Sequence, residues 1–130
     1  MKAIADTGFL VAFGNRKDHY HEWAVGIAEG VTEPLVTCEP CWPKPRFISV
    51  AAPWFWLLHD GLVGSTFVLS EHISRLAELA DRKSDLADLC LIRLSELHLR
   101  YPMITTDLAH FRVYRRGRRE TIPLIHPPVR

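Results

Sequence analysis

Cysteine is scarce in this sequence, and its number is odd. Three cysteines among 130 residues cannot all pair with one another, so an oxidising compartment would leave a thiol unpaired. No window approaches the roughly eighteen uncharged apolar residues of a membrane span. The chain reaches an acid at Asp6 and lacks the long apolar stretch of a secretory signal. These absences predict a cytoplasmic protein that does not enter the membrane.

A strong charge imbalance is also missing. Sixteen Lys and Arg against fifteen Asp and Glu give a formal charge of +1, and 48% of the residues are hydrophobic. This composition excludes native disorder, and the length is typical of one domain. The charges are nevertheless distributed unevenly along the chain. Residues 112–130 hold six Arg and one Glu, whereas residues 1–111 hold ten basic residues and fourteen acids. An acidic body with a basic tail is compatible with a nucleic-acid partner.

Short apolar segments alternate with amphipathic ones along the chain. Strand candidates lie at residues 2–6, 35–37, 66–69, 103–107 and 122–125, and helical periodicity covers residues 19–29, 70–82 and 85–99. Ser70 is a candidate amino-terminal cap for the helix over residues 70–82. The alternation predicts one α/β domain over residues 1–130, with a parallel sheet and helices on both of its faces.

Three aspartates occupy equivalent positions in this pattern. Asp6 and Asp107 end strands, and Asp88 lies near the start of a helix. Because the carboxyl ends of parallel strands meet at one edge of a sheet, we expect these acids to converge. Carboxylates about 4 to 5 Å apart repel by roughly 2 to 4 kcal/mol at an effective dielectric near 20, and a divalent cation offsets this repulsion. The alternative is that each aspartate only caps the following helix.

The segments around these aspartates resemble the PIN domain family, and most strongly the VapC-type toxins of bacterial toxin–antitoxin pairs. In chain order they read Ile4-Ala5-Asp6-Thr7-Gly8, Asp85-Leu86-Ala87-Asp88 and Ile104-Thr105-Thr106-Asp107-Leu108-Ala109-His110-Phe111. The resemblance covers the whole chain except a proline-rich segment. Each motif is short, so the resemblance depends on their order and spacing.

The resemblance implies a three-layer α/β/α fold with a central parallel sheet and a Mg²⁺- or Mn²⁺-dependent ribonuclease activity. Asp6, Asp88 and Asp107 would form the catalytic metal site, and Asp85 and Thr105 would support it. A metal-activated water would hydrolyse an RNA phosphodiester without a covalent enzyme intermediate. Proteins of this type form homodimers and bind a cognate antitoxin, so both partners are expected.

The family pattern contains a further helix glutamate that this sequence lacks. Lys44 occupies the expected position, and Glu39 lies five residues earlier, which on a helix is about 140° out of alignment. His110 stands where the family often has an acid. Glu39 and His110 are therefore weak candidates for the site. The alternative function is a catalytically impaired PIN-fold module that binds the antitoxin or RNA without cleaving it.

A basic segment follows Asp107. It contains Tyr114 and the arginines Arg112, Arg115, Arg116, Arg118 and Arg119. Beside a carboxylate metal site these arginines would bind RNA phosphates, and the tyrosine would be available to stack on a base. The alternative is a solvated loop before the last strand. A DNA-binding regulator is a weaker alternative, because no helix-turn-helix carries the arginines.

Residues from about 40 to about 52 interrupt the regular pattern. Pro40, Pro43 and Pro45 exclude a continuous helix, since each interior proline costs roughly 3 kcal/mol or more. The codons of residues 42–48 can be chosen so that another reading frame gives Leu-Ala-Glu-Ala-Ser-Phe-His. In that frame the expected glutamate replaces Lys44.

We therefore predict a frameshift over about residues 40–52, with the original frame restored near Pro53. Sequencing these codons in the gene checks this prediction. Codons that permit the alternative frame are expected. Codons incompatible with it would identify the segment as a natural, divergent loop.

Overall fold

A parallel sheet organises the chain. The computed structural model describes residues 2–38, 63–64, 67–80, 85–117 and 119–128. Within them the strands are β1 (Ile4–Ala5), β2 (Leu35–Val36), β3 (Val63–Gly64), β4 (Met103–Ile104), β5 (Arg115–Arg116), β6 (Glu120–Thr121) and β7 (Leu124–Ile125). Five of these strands form the sheet in the order β3-β2-β1-β4-β7, and each neighbouring pair is parallel.

Helices cover both faces of this sheet. The described helices are α1 (Thr7–Gly14), α2 (His21–Glu29), α3 (Ile73–Leu79), α4 (Leu86–Leu97) and α5 (Leu108–Phe111), with a 3₁₀ turn at Leu69–Glu71. Successive strand residues point to opposite faces. Ile4 accordingly packs with Leu76 and Leu91, whereas Ala5 packs with Phe9 and Leu10. This arrangement confirms the prediction of a parallel α/β fold. No helix in the described part of the chain is both long and apolar enough to cross a membrane.

Two local predictions between the second and fourth strands of the chain are wrong. Residues 67–68 are not a strand, and a 3₁₀ turn begins at Leu69, while a parallel strand lies earlier, at Val63–Gly64. Ser70 does not cap α3, because it lies inside the 3₁₀ turn and the cap position falls on His72. Residues 39–62, which include the proline-rich segment and the proposed frameshift, lie outside the described residues.

The basic segment forms a hairpin instead of a solvated loop. Strands β5 and β6 are antiparallel, with Arg116 opposite Glu120. Gly117 turns the chain at a φ of 57°, a left-handed conformation that favours glycine. The amide N–H of Gly117 donates to Glu96 Oε2 at 2.7 Å, which ties the turn to α4.

Arg116 fixes the hairpin to the carboxyl end of α4. Its side chain is buried, and its guanidinium donates to the backbone oxygens of Ser95 at 3.1 Å and Leu99 at 3.0 Å. It also pairs with Glu120 at 3.1 Å. A cation is favourable beside the carbonyl groups that end a helix. The guanidinium of Arg116, which the sequence analysis assigned to RNA phosphate, is thus engaged within the protein.

Replacement of this buried arginine should destabilise the fold. We expect Arg116→Met to lower the free energy of unfolding by about 2 to 4 kcal/mol, because it leaves buried carbonyl groups without their donor. Arg119→Met is the matched control, since Arg119 is exposed, and should change stability by less than about 0.5 kcal/mol. Urea denaturation measures both. Equal stability of the two variants would contradict the anchoring role.

Candidate functional site

Asp6 lies where β1 gives way to α1. Its amide N–H donates to the Ile104 carbonyl at 3.2 Å, which holds it to β4. Its Oδ1 accepts from the Phe9 amide at 2.7 Å, so the carboxylate caps α1. Only 4% of Asp6 is exposed. The capping alternative raised from the sequence thus holds for this residue, but a buried carboxylate is far costlier than capping alone requires.

The charges of Asp88 and Asp107 act on the buried carboxylate of Asp6. The pKa of Asp6 is raised from 3.8 to about 6; burial is the largest cause and the charges of Asp107 and Asp88 add to it, whereas hydrogen bonds from Thr105 and Phe9 oppose the rise. The charges of Asp107 and Asp88 are thus near enough to Asp6 to raise its pKa. A cation placed among them would remove this cost.

Thr105 links two of the acids. Its side chain is buried just beyond β4. The hydroxyl accepts from the Asp107 amide at 2.9 Å and donates to the Asp6 carboxylate. A single hydroxyl therefore fixes the relative position of the two strand ends, which is the geometry that a supporting residue needs.

Asp88 is hydrogen-bonded to Tyr114, the residue that the sequence analysis predicted to stack on an RNA base. The Tyr114 hydroxyl donates to Asp88 Oδ2 at 2.7 Å. Only 7% of Tyr114 is exposed, and its ring packs edge-on against Phe111 at 5.3 Å between centroids. Tyr114 is therefore not available to stack on a base. The spacing of three residues from Phe111 to Tyr114 was the available signal that both side chains face the core.

Asp85 supports Asp88 through the backbone. It caps α4, and its Oδ1 accepts from the Asp88 amide at 2.8 Å. The carboxylate of Asp88 is thus oriented from two sides, by the cap that sets the first turn of α4 and by the hydroxyl of Tyr114.

The close packing at this edge explains the glycine of the first motif. Gly8 lies in the first turn of α1, and a Cβ atom built there would overlap the hydroxyl of Thr106, while Asp6 Oδ1 lies 3.5 Å from the same point. A larger residue would push α1 away from the segment that joins β4 to α5. Gly8 thus lets the loops bearing Asp6 and Asp107 approach each other.

The remaining predicted residues have different placements. Arg112, Arg115 and Arg119 are exposed, and Arg115 donates to the carbonyls of Arg112 and Tyr114 at 2.8 and 3.0 Å. The residues outside the described part of the chain are Glu39, Lys44 and Arg118, and the side chain of His110 lies outside it as well.

A cleft of about 710 Å³ opens beside Asp107. One wall comes from the start of α2 and includes Tyr20, Glu22 and Trp23, and the facing wall includes Asp107 and Arg112. No local sequence pattern indicates this cleft, because its walls are separated by more than eighty residues in the chain.

The described residues do not form a closed metal cage. Among them, no three or more His, Cys, Asp and Glu side chains are grouped to hold one metal ion together. Mg²⁺ commonly contacts one or two carboxylates and keeps several of its waters. The oxygen-rich and mutually repelling donors around Asp6 match that chemistry better than they match zinc, which prefers nitrogen and sulfur.

Two buried cysteines, Cys38 and Cys90, belong to the apolar core and not to the acidic site. Cys38 and Cys90 are not disulfide-bonded. A hydrogen bond with Cys38, together with burial, raises the pKa of the Cys90 thiol. Both cysteines lie in the apolar core with Leu91 and Met103. Cys41, the other cysteine of the Cys38-x-x-Cys41 spacing, lies outside the described residues.

Comparison with models of known protein families and with curated protein sequences gives no match for this chain.

The buried carboxylate should make stability depend on pH. The pKa of Asp6 is raised from 3.8 to about 6, so its contribution to stability is present below pH 3.8 and is lost as the pH rises through 6. Asp6→Asn keeps a capping oxygen without the charge. We expect the stability difference in favour of Asp6→Asn to grow by about 2.4 kcal/mol between pH 4 and pH 7 in metal-free buffer. Urea denaturation at several pH values measures it, and a difference independent of pH would contradict the assignment.

Proposed function

We propose that this protein is a metal-dependent endoribonuclease with a PIN-like three-layer α/β/α fold, the toxin of a VapBC-type toxin–antitoxin pair in the cytoplasm. The observation that carries the proposal is the buried Asp6 carboxylate, whose pKa is raised to about 6 by burial and by the charges of Asp107 and Asp88. Folding accumulates negative charge there at a cost to stability, which is typical of a functional site.

The position of this charge supports the proposal. Asp6 and Asp107 follow β1 and β4, which are neighbouring parallel strands. Ligands of open α/β sheets bind outside the carboxyl ends of the strands. The order of the three motifs in the chain is the order that the PIN resemblance requires, and the helices on both faces of the sheet are compatible with that fold.

The metal ion would be Mg²⁺ or Mn²⁺. Asp6, Asp88 and Asp107 would hold it directly or through its waters, and it would supply an activated water and offset the charge on the scissile phosphate. The protein would contribute orientation, because Thr105 fixes the strand ends and Tyr114 fixes the Asp88 carboxylate.

The exposed arginines would bind the RNA backbone. Arg112, Arg115 and Arg119 remain as candidates, since each presents a permanent positive charge suited to phosphate oxygens. The homodimer and the antitoxin are proposed on the resemblance alone.

A second candidate function has a specific observation in its favour. Lys44 stands where the resemblance requires a glutamate, and a cation at that position would oppose metal binding. A PIN-fold module that binds RNA or antitoxin without cleavage would follow.

RNA cleavage by the purified protein distinguishes the two functions. With Mg²⁺ or Mn²⁺ we expect cleavage that EDTA abolishes, and Asp6→Asn should reduce the rate by a hundredfold or more, on the order of the several kcal/mol that a metal site supplies. Glu29→Gln is the matched control, because Glu29 is exposed at the end of α2, and it should keep the wild-type rate.

The opposite result is equally clear. RNA binding without metal-dependent cleavage would overturn the nuclease and favour the non-catalytic module. Expression in bacteria gives an independent reading, since growth arrest that Asp6→Asn removes supports the enzyme, and arrest that survives the substitution contradicts it.

A further inference from the structure

The cleft beside Asp107 has an aromatic wall. Trp23 and Tyr20 are half-buried and pack against the core beside α1. Trp23 meets Phe9 edge-on, with centroids 6.3 Å apart, and the ring of His19 lies edge-on to Tyr20 at 4.7 Å. Rings held in this way are rigid surfaces on which a flat base can stack at little cost in side-chain entropy.

The same cleft carries groups of both charges, the guanidinium of Arg112 and the carboxylates of Glu22 and Asp107. Arg112 and Glu22 both line it and are exposed. Among the residues that the structure describes, neither side chain is engaged in a hydrogen bond or an ion pair. A guanidinium suits a phosphate, whereas a carboxylate only accepts hydrogen bonds. A ligand that satisfies both must carry an anion and, apart from it, a set of N–H donors.

A guanine nucleotide meets this requirement. Guanine presents two adjacent N–H donors on its Watson–Crick edge, which match the two oxygens of one carboxylate. Adenine and cytosine place an acceptor beside their amino group, and uracil has one donor between two acceptors. A carboxylate on the cleft wall can therefore accept two hydrogen bonds from guanine, but only one from each of the other bases, where a ring or carbonyl acceptor faces its second oxygen.

We propose that this cleft binds a guanine base of a single-stranded RNA, with Glu22 accepting from the base, Tyr20 and Trp23 providing the stacking surface and Arg112 binding the adjoining phosphate. The proposal rests on the proposed ribonuclease function for its ligand class. The position of Asp107 on the cleft wall places the bound nucleotide next to the acidic edge of the sheet.

Binding of labelled RNA tetranucleotides in EDTA tests the site without cleavage. Four fluorescein-labelled oligonucleotides differ only in whether one position is G, A, C or U, and anisotropy gives each Kd. For the wild-type protein we expect the G oligonucleotide to bind about tenfold more tightly than the others. Glu22→Gln should reduce this preference to less than about threefold, and Glu29→Gln on the same helix should keep it.

The phosphate contact has its own control. Arg112→Gln should weaken all four oligonucleotides by the same factor and leave the base preference unchanged, because phosphate contacts carry no sequence information. Arg100→Gln is the matched control, because Arg100 is exposed and lies outside the cleft lining, and it should leave both the affinities and the preference unchanged. Thermal unfolding by circular dichroism shows whether each variant is folded under the assay conditions.

Two results would overturn the guanine site: equal affinity of the wild-type protein for all four oligonucleotides, or a preference for G that Glu22→Gln leaves intact. Cleavage of a longer RNA with Mg²⁺ is measured separately. Cleavage without the base preference overturns the guanine site and leaves the nuclease standing. The base preference without cleavage overturns the nuclease and leaves a guanine-binding site.

Discussion

The burial of one carboxylate is the constraint on which this fold depends. Asp6 joins three elements, because its amide binds β4, its side chain caps α1 and its own position ends β1. Each of these bonds would be available to an uncharged asparagine. The charge adds nothing to the architecture and, with the pKa raised to about 6, it opposes folding at neutral pH. A structure that pays this cost at the carboxyl edge of a parallel sheet has the character of a binding site.

The neighbours of Asp6 limit how the charge can be relieved. Thr105 and Gly8 hold the two loops together, so the aspartates cannot simply move apart. Tyr114 and Asp85 restrict Asp88 in the same way. Relief must come from a proton or from a cation, and these two alternatives compete for the same oxygens. The positions of the aspartates are therefore fixed, and only the proton or cation bound to their oxygens can change.

The sequence was sufficient for those features that depend on local pattern. The alternation of apolar strands and amphipathic helices predicted the parallel sheet. Helices α2 and α4 lie within the predicted ranges, and their ends differ by two residues or fewer. These features follow from periodicity and from the geometry of parallel strands, which need no knowledge of distant contacts.

Other features depend on contacts that a linear pattern does not contain. The sequence pattern does not distinguish the five arginines of the basic segment from one another. Arg116 is buried because it donates to the carbonyls of Ser95 and Leu99 at the end of α4, whereas Arg115 is exposed. Tyr114 donates a hydrogen bond to Asp88, which lies 26 residues earlier in the chain. The strands contain two residues each, so alternation within them is too brief to mark their limits. The cleft beside Asp107 likewise exists only after folding.

Helix α4 carries the acids at one end and the basic hairpin at the other. Asp85 caps it and Asp88 lies in its first turn. At its last turns, Arg116 of the hairpin donates to the Ser95 carbonyl, and the Gly117 amide donates to Glu96. Twelve helical residues span about 18 Å. The helix thus acts as a spacer of fixed length between the acids and the basic hairpin, so the two cannot approach each other without a break in the helix.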